Sequence, residues 1–326
     1  MTRTKNRVKR KNTLSDVVAE IRELQRQRVG FQKSRMKIDN RLVANVATSR
    51  GYHAGMEEAE RLAHFAAARK VIDVVRGECA GETEGIIVAL APLIRAVSLS
   101  RNEFYAMEKA TEKEMERLAK RLPVVPWLKR TDQRGFGLLS LAIIIGEAGD
   151  LSGYHNPGQL WKRLGCAPIE SKGTMRMAST WRMREKDNGG LSACEWADAG
   201  YSPRRRSVMF VIAESLIKGN GPREPNPKTG RIALAAGPYK RRYDQKKAEA
   251  IERRDPEWTP PCEACKGEGK TAAGAPCKKC AGRGYMVMRP HLHGMLLAGK
   301  LLLKRLWIEW VYVVDGIEPD PWRSRE

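Results

Sequence analysis

Four cysteines near the C-terminus are the residues of this 326-residue chain whose type and spacing best suit metal chemistry. They form two Cys-x-x-Cys pairs, Cys262 with Cys265 and Cys277 with Cys280, and eleven residues separate the pairs. Glycines follow each pair at matching offsets. Four thiolates with this spacing can close tetrahedrally on one zinc ion. The sequence therefore predicts one structural Zn²⁺ ion with these four cysteines as ligands.

The segment that contains the cysteines, 258–288, needs a metal in order to fold. About 30 residues cannot bury enough apolar surface for an independent core, so zinc would supply the folding free energy. The Cys-x-x-Cys-x-Gly-x-Gly repeats are similar to those of the chaperone DnaJ, but DnaJ has four repeats and this chain has two, so no chaperone activity is inferred. Two alternatives stay open: the thiols bind no metal, or His291 and His293 compete as ligands.

Net charge indicates the kind of partner. The chain has 60 Lys and Arg residues against 38 Asp and Glu residues, a formal net charge of +22. A surplus of this size favours a polyanion, and nucleic acid is the expected one. No apolar run approaches the roughly 20 residues that span a bilayer, so we expect no membrane partner. The basic N-terminus lacks a secretory signal and three of the seven cysteines stand alone, which favours a reducing, cytoplasmic environment.

A Gly-Phe-Gly sequence, with its glycines at Gly135 and Gly137, precedes an apolar helix. The same order occurs in the helix-hairpin-helix loop, where glycines let backbone N–H groups approach a phosphate at a helix N-terminus. Lys129, Arg130 and Arg134 would add positive charge there. A simple turn before a buried helix is the alternative.

Two further basic clusters lie at or near helix starts. Arg204, Arg205 and Arg206 enter an apolar helix, where their charge opposes the helix dipole, so an anionic partner would relieve the cost. Solvated arginines are the alternative. The second cluster lies in "GPYKRRYDQKKAEA". The full set of predicted DNA contacts is Lys129, Arg130, Arg134, Gly135, Gly137, Lys172, Arg176, Arg182, Arg204, Arg205, Arg206, Lys240, Arg241 and Arg242.

Hydrophobic periodicity predicts a mainly α fold. We expect a basic disordered arm at 1–12, then a helical or coiled-coil region at 13–122 with interruptions near Gly30 and Ser98. Residues 127–250 and 289–315 would form a helical DNA-binding domain of helix-hairpin-helix type. The zinc finger at 258–288 would be an insertion in the C-terminal helical hairpin. The first 125 residues contain no convincing strand.

The order of these motifs resembles the C-terminal transposase domain of bacterial insertion-sequence family one-ten recombinases. The resemblance is carried by "GFGLLSLAIIIGEAGDLSGYHNPGQLWKRLGCAPIESKG", the helix that follows Arg206, "GPYKRRYDQKKAEA" and "HLHGMLLAGKLLLKRLWIEW". It spans about residues 85–312 apart from the cysteine segment. It implies a homo-oligomeric DNA-binding protein of transposition or DNA recombination, bacterial or phage-encoded and nucleoid-associated, with a guide or structured RNA as a further partner.

The resemblance also implies a serine nucleophile. In "LGCAPIESKG" the matching residue is Ser171, and Lys172, Arg176, Arg182 and Arg184 are the nearby cations that would stabilise the reacting phosphoryl group. The family has glycine directly after this serine, whereas this chain has Lys172 and only then Gly173. A polar loop residue is the alternative for Ser171.

The N-terminal half departs from the family. Family members begin with a RuvC-like domain whose four acidic residues hold divalent metal for strand cleavage, but this chain begins with basic helices. Three hypotheses follow: a DNA-binding protein without its own nuclease, a serine-dependent recombinase subunit with a nuclease partner, and a zinc-containing RNA-binding or structural factor. The missing acidic domain favours the first.

Overall fold

The fold is described by a computed structural model that covers residues 2–78, 85–171, 174–176, 192–225, 232–253, 259–271 and 274–316. These residues are mainly helical, which confirms the predicted fold class. Of the helices described, none combines the length and the apolarity that crossing a bilayer requires.

The described secondary structure consists of ten α-helices, a two-stranded hairpin and short 3-10 turns. The helices are α1 (Thr2–Ser49), α2 (Glu58–Arg76), α3 (Gly85–Ala119), α4 (Val125–Leu128), α5 (Leu138–Ala148), α6 (Pro157–Arg163), α7 (Ala193–Asp198), α8 (Pro203–Gly219), α9 (Pro238–Glu252) and α10 (Met288–Asp315). Strands β1 (Ile169–Ser171) and β2 (Thr174–Arg176) pair antiparallel, with Ile169 opposite Arg176. The 3-10 turns are Thr131–Gln133, Leu151–Gly153 and Glu263–Cys265.

Helices α1 and α3 are longer and more continuous than the sequence predicts. Helix α1 begins at Thr2 and so includes the basic segment 2–12, for which composition predicts a disordered arm. It also passes through Gly30 without a break, and α3 passes through Pro92 and Ser98. A glycine inside a helix costs only about 1 kcal/mol and a proline about 3 kcal/mol. Packing of an apolar face outweighs such local costs.

The chain divides into two compact units. The three-helix unit comprises residues 20–118, which are most of α1, all of α2 and all but the end of α3. The larger unit comprises residues 1–19 and 119–326. It contains the four paired cysteines, every predicted DNA contact and all eight tryptophans of the chain. Tryptophan fluorescence therefore reports on the larger unit alone.

Apolar side chains from all three helices form the core of the three-helix unit. Leu42 and Val46 of α1, Val71 and Ile72 of α2 and Ile94 of α3 belong to one buried cluster. Residues one turn apart on a helix share a face, so each helix buries one stripe in this core.

Buried ion pairs join α1 to α3 in the same unit. Arg28 lies 2.8 Å from Glu112, and Arg35 lies 3.3 Å from Glu108. Both carboxylates are buried, and Lys109 lies 2.7 Å from Glu112. Burial opposes the ionisation of Glu112, but hydrogen bonds from Lys109 and Arg28 hold its pKa below the ordinary value of 4.5. Removing one partner of such a pair would leave a buried charge uncompensated.

Helix α10 is the element against which much of the larger unit packs. Helices α6, α8 and α9 and the turn Leu151–Gly153 all contact it. Its tryptophans Trp307 and Trp310 are fully buried. Their indole N–H groups donate hydrogen bonds to the carbonyl oxygen of Tyr154, at 3.0 Å, and to Asp150 Oδ1, at 2.9 Å. The indoles therefore pack in the core and satisfy their only polar group.

Helices α9 and α10 form an antiparallel hairpin. The hydroxyl of Tyr243, in the middle of α9, lies 2.7 Å from His291 Nδ1 near the start of α10. Tyr239, one turn earlier in α9, lies under the guanidinium of Arg305, farther along α10. A Cβ at Gly294 would lie 2.9 Å from the Tyr243 ring, so this glycine permits the close approach of the helices. The cysteine segment joins the two helices.

A buried carboxylate links α5 to the start of α8. Glu147 of α5 is 4% exposed, and its carboxylate forms ion pairs with Arg204 and with Arg205, the latter at 3.2 Å. Ser202 caps α8 by accepting the backbone N–H of Arg205. The arginines that oppose the α8 dipole therefore have an anionic partner inside the protein, which offsets that cost.

We expect Glu112→Gln to weaken the three-helix unit by about 2 kcal/mol at neutral pH, because the amide cannot carry the charge that Arg28 and Lys109 stabilise. The pKa of Glu112 is lowered in the folded state, so its contribution is present above pH 4.5 and is lost as pH falls below that value. The measurement is urea unfolding followed by circular dichroism at neutral and acidic pH. The control is Glu114→Gln, since Glu114 makes only an exposed i,i+3 pair with Arg117. Equal effects of both variants would contradict a special role for Glu112.

We expect Glu147→Ala to destabilise the larger unit by about 3–5 kcal/mol, because Arg204 and Arg205 would lose their buried partner. Urea unfolding followed by tryptophan fluorescence measures this effect, since every tryptophan lies in that unit. Glu214→Ala removes an exposed i,i+4 pair with Lys218 on α8 and should cost under about 1 kcal/mol. A Glu147 variant as stable as the Glu214 variant would refute the assignment.

Candidate metal centre and candidate nucleic-acid interface

Two loops of the cysteine segment share one backbone conformation. The first loop is Cys262–Gly269 and the second loop is Cys277–Gly284, 15 residues later. The first cysteine of each loop donates its backbone N–H to the carbonyl oxygen of the last glycine of the other loop, at 2.8 Å in both cases. Lys266 and Ala281, at equivalent positions, both have positive φ, 49° and 50°. The loops are therefore related by an approximate twofold axis, and we call the pair the finger.

The four sulfur atoms of the finger lie together and are buried. All four Sγ atoms are within 4.8 Å of one another, with Cys262 and Cys277 4.0 Å apart and Cys265 and Cys280 3.7 Å apart. A tetrahedral ion with metal–sulfur bonds of about 2.3 Å would hold its sulfurs about 3.8 Å apart. The predicted ligands therefore meet with the dimensions of a four-thiolate metal site.

Backbone N–H groups in the finger are directed at sulfur. The N–H of Gly269 donates to Cys265 Sγ and that of Gly284 donates to Cys280 Sγ, each at 3.3 Å. Burial opposes ionisation, but the Gly284 N–H and the neighbouring sulfurs lower the pKa of Cys280 to about 7. Burial and the adjacent Cys280 sulfur raise the pKa of Cys265 to about 11. Because metals bind the thiolate form, a metal ion at this site would displace thiol protons.

The glycines after each cysteine pair are required by the close approach of the loops. Gly269 and Gly284 have φ of +77° and +80°. A Cβ at Gly269 would overlap the carbonyl oxygen of Gly282, and a Cβ at Gly284 would overlap that of Gly267. The repeated glycines therefore serve the geometry that brings the sulfurs together.

The two histidines considered as alternative ligands lie outside this group. His291 Nδ1 is hydrogen-bonded with the Tyr243 hydroxyl. Burial and the nearby cations Arg253, Lys246 and Lys300 lower the pKa of His293. In the part of the chain that the structure describes, the only group of three or more His, Cys, Asp or Glu side chains that could hold a metal is the four cysteines.

The predicted Gly-Phe-Gly turn precedes α5, and its two glycines have different roles. Gly135 has a φ of +82° and lies against the C-terminal end of α8, where its Cβ would meet the Ser215 carbonyl oxygen and Gly219. Asn220 is fully buried and donates its amide to the carbonyl oxygen of Arg134, which holds the turn in place. Gly137, by contrast, faces open space and is the N-cap of α5 without a side-chain cap. The start of α5 is therefore accessible to an incoming group.

Side-chain donors beside this turn have no acceptor among the described residues. Gln133 is 1% exposed, and its Oε1 accepts the Tyr239 hydroxyl at 2.6 Å, which leaves its Nε2 without an acceptor. Arg134 donates through Nη2 to the carbonyl oxygen of Ala235, but its Nε and Nη1 are buried and have no acceptor. Buried donors without acceptors are rare in folded proteins.

The predicted basic contacts divide into exposed and internally paired residues. Lys129 and Arg130 are exposed next to the turn, although Arg130 lies 3.5 Å from Asp132. Arg204 and Arg205 pair with Glu147, as described above. Three other predicted contacts bond to groups of the larger unit itself. Arg206 donates to the Gly165 carbonyl oxygen, Lys240 pairs with Asp244, and Arg241 donates to the Ala236 carbonyl oxygen. Arg242 is half-buried.

The predicted reactive serine lies at the end of β1. The backbone of Ser171 pairs with Thr174 across the hairpin, and its side chain lies outside the described residues. Lys172, Arg182, Arg184 and the side chain of Arg176 also lie outside them. Among the other possible nucleophiles, Cys166 is buried, and burial raises the pKa of its thiol to about 11, which favours a packing role.

The three-helix unit carries a basic stripe that the sequence analysis does not single out. Lys33, Lys37 and Arg41 are exposed on α1 at intervals of four residues, or about 6 Å along the helix axis. Among the described residues none of the three has an ion-pair partner. The basic stripe could have been predicted from the i, i+4, i+8 spacing of these three residues in the sequence.

Comparison of the chain with family models, with curated proteins and with solved structures finds no match. The resemblance in motif order therefore stays a prediction, and functional inference rests on the residues and their geometry.

We expect Gly284→Ala to reduce metal binding by the finger more than Gly274→Ala does. Both glycines have positive φ, +80° and +76°, so both variants bear the cost of a left-handed alanine, about 1 kcal/mol. Only at Gly284 would the added Cβ also overlap backbone, whereas Gly274 faces open space. Titration of the full chain with Co²⁺, followed by its thiolate charge-transfer absorption, measures the difference. Equal affinities would show that the close approach of the loops is not needed.

Proposed function

We propose that this chain is a DNA-binding protein related to the transposase domain of insertion-sequence family one-ten recombinases, acting in transposition or DNA recombination. The start of α5 would bind a backbone phosphate of duplex DNA. Zn²⁺ held by the four cysteines would stabilise the finger.

The observation that carries the proposal is the open N-terminus of α5 beside exposed cations. Gly137 has no atom within 4 Å of the position of a Cβ, so a phosphate can come close to the backbone there. The uncapped N–H groups of a first helical turn and the helix dipole both favour an anion. Lys129 and Arg130, eight and seven residues before Gly137 in the chain, are exposed and positively charged.

The charge of the chain supports the same partner. The formal net charge of +22 gives the whole chain an attraction for polyanions that depends on salt concentration. This attraction does not identify a DNA sequence, because phosphate contacts position a protein on DNA without reading bases.

Zinc is the metal that the ligand set favours. Four thiolates in a tetrahedral arrangement are typical of structural zinc, and such a site leaves no position open for substrate. The metal would therefore supply folding free energy to the finger and take no part in a reaction.

The remaining elements of the proposal come from motif order. They are a homo-oligomer, a guide or structured RNA as a second partner, and a cytoplasmic, nucleoid-associated location. A nucleophilic Ser171 would instead define a serine-dependent recombinase that obtains its metal-binding acids from a partner. An RNA-binding or structural zinc protein is the third hypothesis.

We expect Gly137→Ala to weaken binding of duplex DNA about tenfold and to cost at most about 1 kcal/mol of stability, since alanine is a poorer N-cap than glycine. The added methyl group has room in the free protein and would block only the approach of a phosphate, at the cost of about one charge-assisted hydrogen bond. Gly153→Ala is the matched control, since its Cβ would also meet no atom within 4 Å in the same unit. Fluorescence anisotropy with a labelled duplex, with structured RNA as competitor, measures the affinities. Unchanged binding by Gly137→Ala would remove the phosphate site from α5.

A further inference from the structure

The two loops of the finger have the same backbone but different charges. The first loop, Cys262–Gly269, contains one cation, Lys266, and two carboxylates, Glu263 and Glu268. The equivalent span of the second loop, Cys277–Gly284, contains three cations and no carboxylate. The two loops are therefore related by an approximate twofold axis in their backbone but not in their charge.

The difference arises at equivalent positions. Fifteen residues separate Glu263 from Lys278 and Glu268 from Arg283, so two carboxylates of the first loop correspond to two cations of the second. All four side chains are exposed. Since the backbone fixes equivalent positions on the two loops, one side of the finger presents positive charge and the other presents mixed charge.

The basic residues of the second loop are available to a partner. Lys278 and Arg283 have no ion-pair partner among the described residues. Lys279 lies 3.7 Å from Glu263, but both side chains are more than half exposed, at 53% and 92%. Exposed pairs of this kind contribute little, so Lys279 can exchange Glu263 for another anion at small cost.

Balance of the metal charge does not explain the asymmetry. A divalent ion with four thiolates carries a formal charge of about −2, which nearby cations would stabilise. The N–H groups that already donate to sulfur, from Gly269 and Gly284, come equally from both loops. A charge-balancing role would place the lysines around both halves of the site, whereas they are concentrated on the second loop.

We infer that the second loop of the finger is a contact surface for the phosphate backbone of duplex DNA. The identity of this partner rests on the proposed function, and the finger adds a second contact to the one at α5. Its role would be to increase affinity without sequence preference, because lysine and arginine pair with phosphates of any sequence. The metal keeps the loop in one conformation, so little entropy is lost when its cations bind.

The test compares two double variants that each remove two positive charges, from one loop of the finger or the residue directly after it. Lys278→Gln/Arg283→Gln alters the second loop, and Lys266→Gln/Lys270→Gln alters the first loop and the residue that follows it. Binding of the full chain to a labelled duplex of about 30 base pairs is measured by anisotropy between about 0.05 and 0.2 M salt. Zinc content is measured for every variant by elemental analysis.

We expect the second-loop variant to bind about thirtyfold more weakly near 0.15 M salt. The slope of log K plotted against log salt concentration should be less steep by about 1.8. These values follow from a slope of about 0.9 for each phosphate that the protein neutralises, with two fewer neutralised by the variant. The first-loop variant should bind within about threefold of wild type. It loses the same two charges as the second-loop variant, so its small decrease measures the effect of general charge attraction alone. The charge-conserving Lys278→Arg/Arg283→Lys variant should restore binding.

Three results would show that the second loop does not bind DNA. They are an unchanged affinity, an equal decrease in both double variants, and loss of zinc in the second-loop variant alone, which would assign its cations to the metal. Failure of the proposed function would look different. In that case the wild-type protein would not bind the duplex, or structured RNA would displace the duplex completely. If Gly137→Ala weakens binding and the second-loop variant does not, the α5 site stands and the finger site does not.

Discussion

Burial of the apolar face of α10 is the constraint on which the larger unit depends. Helices α6, α8 and α9 contact this helix, and the indole N–H groups of Trp307 and Trp310 are satisfied only because neighbouring turns present acceptors to them. The candidate sites are placed by the same packing. The finger joins α9 to α10, and the Gly-Phe-Gly turn lies against the end of α8, which itself packs on α10. A change that loosens α10 would therefore displace both sites at once.

The distribution of positive charge separates residues that build the protein from residues that are available to a partner. Arg204 and Arg205 neutralise the buried Glu147, and Arg28 and Arg35 neutralise buried carboxylates of α3. Because burying an unpaired carboxylate is costly, these arginines are needed by the fold itself. The exposed cations beside the α5 turn, on the second loop of the finger and on the α1 stripe have no such task. A large surplus of basic residues in a sequence thus contains two populations, and only the second is expected to account for the salt dependence of binding.

The finger lies between α9 and α10 and is held together by bonds within itself. Its two loops bond to each other through backbone groups of the first cysteine and the last glycine of each loop, and its sulfurs are buried within 4.8 Å of one another. The outward-facing side chains take no part in these bonds. Those side chains are therefore free to differ in charge between the loops, as Glu268 and Arg283 do at equivalent positions.

The sequence by itself determined the helical class, the group of four cysteines and the location of the finger between two helices, because these depend on local spacing. Helical periodicity and the Cys-x-x-Cys-x-Gly-x-Gly repeat are both read within a few residues. Continuity of α1 through Gly30 and of α3 through Pro92 was not predictable in this way, since packing against other helices outweighs a local helix penalty. The same holds for the roles of the basic residues. Only the tertiary structure decided that Arg204 meets Glu147, 57 residues away, and that Gly135 packs on Gly219 while Gly137 stays open, because contacts between distant segments leave no periodic trace in the sequence.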